Sequence, residues 1–416
     1  MTHPPARSGP PVTIRVGAVA ARTLTAELRR LAGPKSALVL GAYAGCPVLT
    51  AAIGGLGPEG RLAVVPSAGS GTAELRAQLG QAGHRTSDRV RLLDSIADAD
   101  PVDVIVVAQP LTGSPDEVRA EIENLTKWLA PGGVLSVAVV AVPGLDGGAA
   151  AELAVLALQH GVGSDLVLRN VPPLRVHRLR FSPADTATAA RLAPAYRPSS
   201  VPLTRTMHID SNGVAAAGIA LGLAALVRAA RPASRLWLLP ALAAAPVAAF
   251  FRDPQRHVPE DENAVVAASD GRVLSVERVV DSRFPGQDFL RIAVFLSVLD
   301  VHVNRAPVAG RVVDYFVADG GFAAAMKPEA EHNVAAYTVL DTAHGTVVVA
   351  QRTGLIARRI VQRAPVGALL AKGERFGLIR FGSRTDVYLP AGAAEPLVAA
   401  GDRVHGGSTV IARWTT

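Results

Sequence analysis

Two apolar runs near the middle of the chain, Gly213–Val227 and Leu236–Phe251, are separated only by a basic turn carrying Arg228, Arg231 and Arg235. A chain must either bury such a pair in a core or lay it against lipid, and each choice constrains everything that flanks it. Each run is shorter than the ~20 residues a spanning helix usually needs. Pro240 and Pro246 also interrupt the second. The pattern predicts a hairpin lying in or dipping into one leaflet with its arginines among the headgroups. A buried core hairpin of Ala-rich helices is the alternative.

The hairpin divides the 416 residues into halves of different texture. Before it, Ala37–Leu40, Arg61–Val65, Val104–Val107 and Val134–Val140 read as buried strands, with helices such as Gly71–Ala82 and Pro115–Leu129 between them. This rhythm predicts a Rossmann-like parallel sheet with helices on both faces. After it, Gly271–Val280, Leu290–Ser297, Gly310–Val317, Tyr337–Leu340 and Val347–Gln351 are short strands punctuated by Gly and Pro, so the C-terminal half is expected to be mainly β. The expected division is a disordered 1–11, an α/β domain over 12–193, a linker over 194–206, the hairpin over 207–251 and a β domain over 252–416.

The formal charge of +7 suits an anionic lipid surface, whereas aromatics at 4%, with no basic cluster interleaved among them, exclude a nucleic-acid reader. One cysteine, Cys46, makes neither an internal disulfide nor a thiolate metal site, so a reducing compartment and no metal are expected. Met1–Val12 lacks the apolar core of a signal peptide. The expected location is the cytoplasmic face of the cell membrane, peripheral or monotopic.

The most informative segment is Gly377-Leu-Ile-Arg-Phe-Gly-Ser-Arg384. A lone Gly-Ser pair after a strand is ordinarily just a turn. Here it follows, in order, Phe250-Phe-Arg-Asp-Pro-Gln-Arg256, Ala268-Ser-Asp-Gly-Arg-Val273, Leu299-Asp-Val-His-Val-Asn-Arg-Ala-Pro307 and Gly354-Leu-Ile-Ala-Arg-Arg359. From about Met207 to Trp414 this series closely resembles the short-form phosphatidylserine decarboxylase proenzymes.

Removing CO2 from an amino acid leaves a carbanion, which needs a conjugated electron sink that no ordinary side chain supplies. The resemblance implies that the chain makes this sink itself: Ser383 attacks the Gly382 carbonyl, the chain splits between them, and Ser383 becomes a pyruvoyl group. Glycine at 382 suits such an attack, since no Cβ hinders the carbonyl. The resemblance further implies decarboxylation of phosphatidylserine to phosphatidylethanolamine through a Schiff base, with the two cleaved chains remaining associated. Homo-oligomerisation stays open.

His302, in the family's Asp-x-His context, is the expected acid that reprotonates Cα. Asp270 either orients a base or is a plain Asp-Gly hairpin turn. Long-form members carry a second histidine where this chain has Arg305, so the base that activates Ser383 is left open between His302, Asp270 and water. Arg305, Arg358 and Arg384 are the expected cationic contacts for the phosphodiester. The closing stretch Glu395–Val410 reads as two strands around Gly-Asp and Gly-Gly turns and resembles the barrel-sandwich modules of lipoyl carriers. Two other readings are a decarboxylase of another serine phospholipid or amino acid, and a non-catalytic membrane-associated binding protein.

In the first half, Leu38-Val-Leu-Gly-Ala-Tyr-Ala-Gly-Cys46, Gly60-Arg-Leu-Ala-Val-Val65 and Leu129-Ala-Pro-Gly-Gly-Val-Leu135 resemble the corresponding turns of class I S-adenosylmethionine methyltransferases. Gly41 and Gly45 would form a vestigial nucleotide loop. Pro66 stands where an acid should bind ribose, Val39 replaces the acid before the first glycine, and Ala108-Gln-Pro110 lacks the acid after the fourth strand. The expectation is a degenerate domain for which S-adenosylmethionine is at most a second cofactor.

Overall fold

The computed structural model describes residues 14–69, 72–81, 88–142, 144, 147–194, 201–204, 206–355, 359–380 and 383–415. The expected disordered stretch 1–11, and with it Arg358 and Gly382, lies outside them. The N-terminal sheet comprises β1 (Ser36–Ala42), β2 (Arg61–Pro66), β3 (Val90–Leu92), β4 (Val102–Val107), β5 (Leu129–Val140), β6 (Gly161–Val167) and β7 (Leu174–Leu179). Their order is β3-β2-β1-β4-β5-β7-β6. β1 to β5 pair in parallel, as the βαβ rhythm predicts, but β7 runs antiparallel to both β5 and β6. The chain between β6 and β7, residues 168–173, is too short for a parallel crossover and forces the reversal.

Helices Ala18–Leu24 and Pro47–Gly55 pack on one face through Leu24, Val48 and Leu49. On the other face lie Pro115–Thr126 and Ala149–His160, through Val118, Ile122 and Leu153. Pro115–Thr126 starts where predicted because Ser114 and Glu117 form a reciprocal capping box. Strand order reverses at β1 and β4, which places a cleft at their carboxyl ends.

The segment expected as a linker contributes β8 (Val201–Pro202), which pairs with β9 (Met207–Ile209), and β9 pairs with β10 (Arg252–Pro254). From this root rise the helices Ser211–Ala230 and Leu238–Phe250. The first has 20 residues and is long and apolar enough to cross a membrane, longer than the run read from sequence. Asp210 caps it by accepting from the Asn212 amide at 2.9 Å, and helical residues beyond Val227 extend it to Ala230. Ile219, Leu223, Leu226, Leu239 and Leu242 are exposed, so the hairpin does not bury itself in a core.

The C-terminal part contains β11 (Ala264–Val266), β12 (Gly271–Val280), β13 (Asp288–Leu296), β14 (Val303–Arg305), β15 (Gly310–Ala318), β16 (Ala335–Thr342), β17 (Gly345–Arg352), β18 (Ile360–Gln362), β19 (Leu369–Leu370), β20 (Arg375–Ile379), β21 (Ser383–Pro390), β22 (Ala394–Pro396), β23 (Arg403–Val404) and β24 (Val410–Trp414). An eight-stranded sheet runs β19-β15-β16-β17-β21-β13-β12-β23, beside the smaller sheets β14-β20-β18 and β11-β24-β22. In the closing stretch β22 and β23 do not pair with each other: β22 joins β24 and β23 joins β12.

Candidate active site

Ser383 opens β21, a central strand held by β13 on one side and β17 on the other. Ile379, four residues earlier, ends β20 in the small sheet. The bond expected to break adjoins the first residue of β21, where Ser383 pairs with Leu296 of β13. Strand alternation puts Ser383, Thr385, Val387 and Leu389 on one face and Arg384, Asp386 and Tyr388 on the other. The packing agrees: Val387 and Leu389 share a core with Val294 and Ile292, whereas Tyr388 packs with Phe289 and Tyr337.

On the Ser383 face, Thr385 and Ser269 share a hydroxyl hydrogen bond at 2.6 Å, and Gln351 donates to Asn304 at 2.7 Å. Ser383 is fully buried, yet its Oγ has no hydrogen-bond partner among the described residues. A buried hydroxyl without a partner is uncommon and marks either an absent ligand or a group held for chemistry.

His302 shares this property. It is buried beside Phe250, with ring centroids 4.2 Å apart, and its backbone carbonyl accepts from the Ile379 amide at 3.3 Å. Its Nδ1 lies 2.9 Å from the Asp300 carbonyl while Nε2 has no partner among the described residues. A carbonyl can only accept, so Nδ1 carries the proton and Nε2 the lone pair. Burial is the main cause that pushes the imidazole down to about 4, with the Arg252 charge adding to it against Asp300 and Asp270. The carboxylate of Asp300 accepts from Ser297 N and Oγ, at 2.8 and 2.7 Å, and from Arg403 at 2.6 Å, fixing the turn that presents His302.

Asp270 is pinned: it accepts from Arg256 at 2.6 Å and from the Gly406 amide at 2.8 Å, with His405 Nδ1 at 3.5 Å. Its charge reaches His302, but no direct hydrogen bond joins it to His302 or Ser383 among the described residues.

Of the three cations nominated from sequence, Arg358 lies outside the described residues and the other two are engaged by the protein. Arg305 is buried and donates to Asp253 at 2.8 Å, to the Pro254 carbonyl at 2.8 Å and to the Gly373 carbonyl at 3.2 Å. It is a strut between the Asp253-Pro254 segment and the Gly373 turn, not an open phosphate contact. Arg384 points away from Ser383, bonded to Asp386 at 2.6 Å, and Asp386 is shared with Arg352 at 2.6 Å. Two half-engaged cations also stand at the hairpin root: Arg252 donates to the Leu299 carbonyl, and Arg380 donates to Asn212 at 2.7 Å. Both are half-buried. The signal for Thr385 was present in the alternation after Ser383; Asn304, Gln351 and His405 had none without the fold.

The cleft of the N-terminal domain keeps its left-handed glycines, Gly41 at φ 74° and Gly45 at φ 77°. Its polar groups are already spent on the protein. The Gln109 amide donates to Ser67 at 3.0 Å and reaches the Gly41 carbonyl at 3.5 Å, while the Gly45 amide donates to Gln78 at 2.7 Å. Pro66 ends β2 where an acid would accept from a ribose, so that side-chain acceptor is missing.

The family model described as phosphatidylserine decarboxylase matches residues 244–412. A phosphatidylserine decarboxylase proenzyme of Symbiobacterium thermophilum is 51% identical over 166 residues, covering 39% of this chain and 77% of that protein. One of Carboxydothermus hydrogenoformans is 46% identical over 165 residues, covering 39% and 78%. Among solved structures, the O-methyltransferase TomG of Streptomyces achromogenes aligns at 20% identity with a TM-score of 0.30, over 41% of this chain and 82% of that one. A precorrin-6y C5,15-methyltransferase of Geobacter metallireducens aligns at 17% identity with a TM-score of 0.28, over 39% and 87%.

Proposed function

Because the chain belongs to the phosphatidylserine decarboxylase family, we propose that it splits itself at Gly382–Ser383 and decarboxylates phosphatidylserine to phosphatidylethanolamine at a membrane surface. The observation that carries this reading is the pair of buried atoms without partners among the described residues, Ser383 Oγ and His302 Nε2, at one junction between two sheets. A pyruvoyl group fits at Ser383, whose Oγ no described residue engages.

In the splitting step the Ser383 hydroxyl adds to the Gly382 carbonyl carbon, the C–N bond breaks, and the acyl group passes from nitrogen to oxygen. Loss of the Ser383 α-proton expels the Gly382 carboxylate and leaves a dehydroalanine. Water then hydrolyses its imine tautomer, releasing ammonia. His302 Nε2, bare at neutral pH, is the acceptor for the Ser383 proton. Strands β21, β23 and β24 keep residues 383–416 paired to β13, β17, β12 and β11 after the cut.

Once formed, the pyruvoyl group supplies a conjugated carbonyl that takes up the electron pair left by departing CO2. His302 Nε2 takes the proton of the substrate ammonium and returns it at Cα, so the expected acid is a base in its resting state. Arg252 and Arg380 replace Arg305 and Arg384 as the contacts for the phosphodiester. The exposed hairpin lies in the leaflet and delivers its root, with Phe250 against His302, to headgroup depth.

The test is incubation of split protein with phosphatidylserine vesicles and mass analysis of the lipids. Phosphatidylethanolamine is the expected product. Turnover of free serine or another serine phospholipid, with phosphatidylserine untouched, would replace the substrate assignment.

A further inference from the structure

Arg30 belongs to the N-terminal domain, yet its guanidinium is buried against the decarboxylase part. It donates to Glu374 at 2.7 Å and to the Leu369 carbonyl at 2.8 Å, while Glu27 on its own helix accepts from it at 3.0 Å. Glu374 is itself buried, and the same Oε2 also accepts from the Ala371 amide at 2.9 Å. A second arginine of the domain, Arg180, donates to the Gly367 carbonyl at 2.7 Å and to its own domain's Gly132 carbonyl at 2.9 Å. Around these contacts Leu369 is buried with Ala184 and Ala189.

The loop so held is continuous with the site. The Glu374 carbonyl accepts from the Ala306 amide at 2.7 Å, and the Gly373 amide donates to the Ala306 carbonyl at 2.8 Å. Arg305, one residue earlier, donates to the Gly373 carbonyl and to Asp253. Arg375, the residue after Glu374, also pairs with Asp253. One rigid path therefore runs from Arg30 through the 371–375 turn to β14, which directly follows His302, and to the Arg252-Asp253-Pro254 strand at the hairpin root.

We propose that the methyltransferase-like domain serves the decarboxylase as a brace, with Arg30 as a positioning residue that acts through Glu374 on β14 and its preceding histidine. The inference rests on the reading of residues 302 and 383 as catalytic. The polar groups around Gln109 bond one another, and the buried Arg30–Glu374 contact gives the domain a task of its own. A carboxylate as buried as Glu374, left without its cation, is an uncompensated charge that the turn relieves by opening to water.

The test uses the full chain carrying Arg30→Met, Glu374→Gln, the double variant and Arg30→Lys, each checked by circular dichroism to be folded at the assay temperature. The rate of splitting is followed by intact mass, and amide hydrogen exchange is followed over residues 302–307 and 369–375. Arg30→Met is expected to slow splitting at least tenfold and to speed exchange at Ala306 at least tenfold. The double variant should be no slower than either single variant, because the two residues act as one unit, and Arg30→Lys should recover part of the loss. Folded Arg30→Met that splits at the parent rate with unchanged exchange at Ala306 would overturn the brace. Should the parent chain not split at all, the catalytic reading fails, and the exchange measurement still decides the role of Arg30.

Discussion

Two clefts in this molecule treat their polar groups in opposite ways. At the carboxyl ends of β1, β2 and β4, Gln109, Ser67, Gly41, Gly45 and Gln78 satisfy one another. At the junction of the two C-terminal sheets, Ser383 Oγ and His302 Nε2 are buried with nothing to bond among the described residues. An unsatisfied buried polar atom costs roughly 1–3 kcal/mol, and a group held for chemistry is one reason to keep it. In the first cleft the named polar groups bond one another, whereas at the second Ser383 Oγ and His302 Nε2 stay unbonded among the described residues.

The largest effect should come from Ser383→Ala, which removes the nucleophile. The chain is expected to remain whole and decarboxylation to fall to background, and turnover by that variant would break the contrast at its catalytic end. Next, His302→Ala should lower decarboxylation by about 10²- to 10⁴-fold, the range for a lost proton-transfer group. It should also slow splitting, with added imidazole restoring part of both rates.

The face of β21 opposite Ser383 offers a control. Arg352 and Asp386 are buried partners, and Asp386 has its carboxyl held below the usual range by Arg352 and Arg384 against the effect of burial. Removing the shared carboxylate leaves two buried guanidiniums without it, so Asp386→Leu should cost about 3–5 kcal/mol in urea unfolding. A loss under about 1 kcal/mol would show that this face is not the structural half of the strand.

Much of this was legible from sequence because it rests on local pattern. Gly271–Val280 is a strand at the bounds read from its alternation, and the helix read from Pro115 starts there. Ser383 and His302 were found through linked motifs, and both proved buried and unpartnered. The reading of Arg384 erred because a period of two places neighbours in a strand on opposite faces, a fact in plain view once β21 was known to begin at Ser383. Arg305 could not have been placed from sequence: its partners Asp253 and Gly373 come from segments distant in the chain. The link from Arg30 to Glu374 was equally hidden, since nothing local encodes a partner hundreds of residues away.

Two smaller effects sharpen the contrast further. Burial holds both His302 and His177 at about 4, below the ordinary 6.5, so both are neutral when folded. Unfolded, they bind protons as pH falls through 6.5. The unfolded state thus takes up more protons between about 6.5 and 4, and stability drops across that window on acidification, by up to about 3 kcal/mol per histidine. Urea midpoints measured from pH 7.5 to 4.5 should show this slope, and His177→Leu should remove close to half of it; a flat profile would contradict the buried neutral state. Last, equilibrium dialysis with S-adenosylmethionine should detect no binding to the parent chain, and measurable saturation would reopen the first cleft as a site.

Intact mass of the purified chain tests the central claim most directly. The account predicts two polypeptides, the smaller spanning residues 383–416 with a pyruvoyl group in place of its first residue. A single uncut chain after full incubation would contradict it.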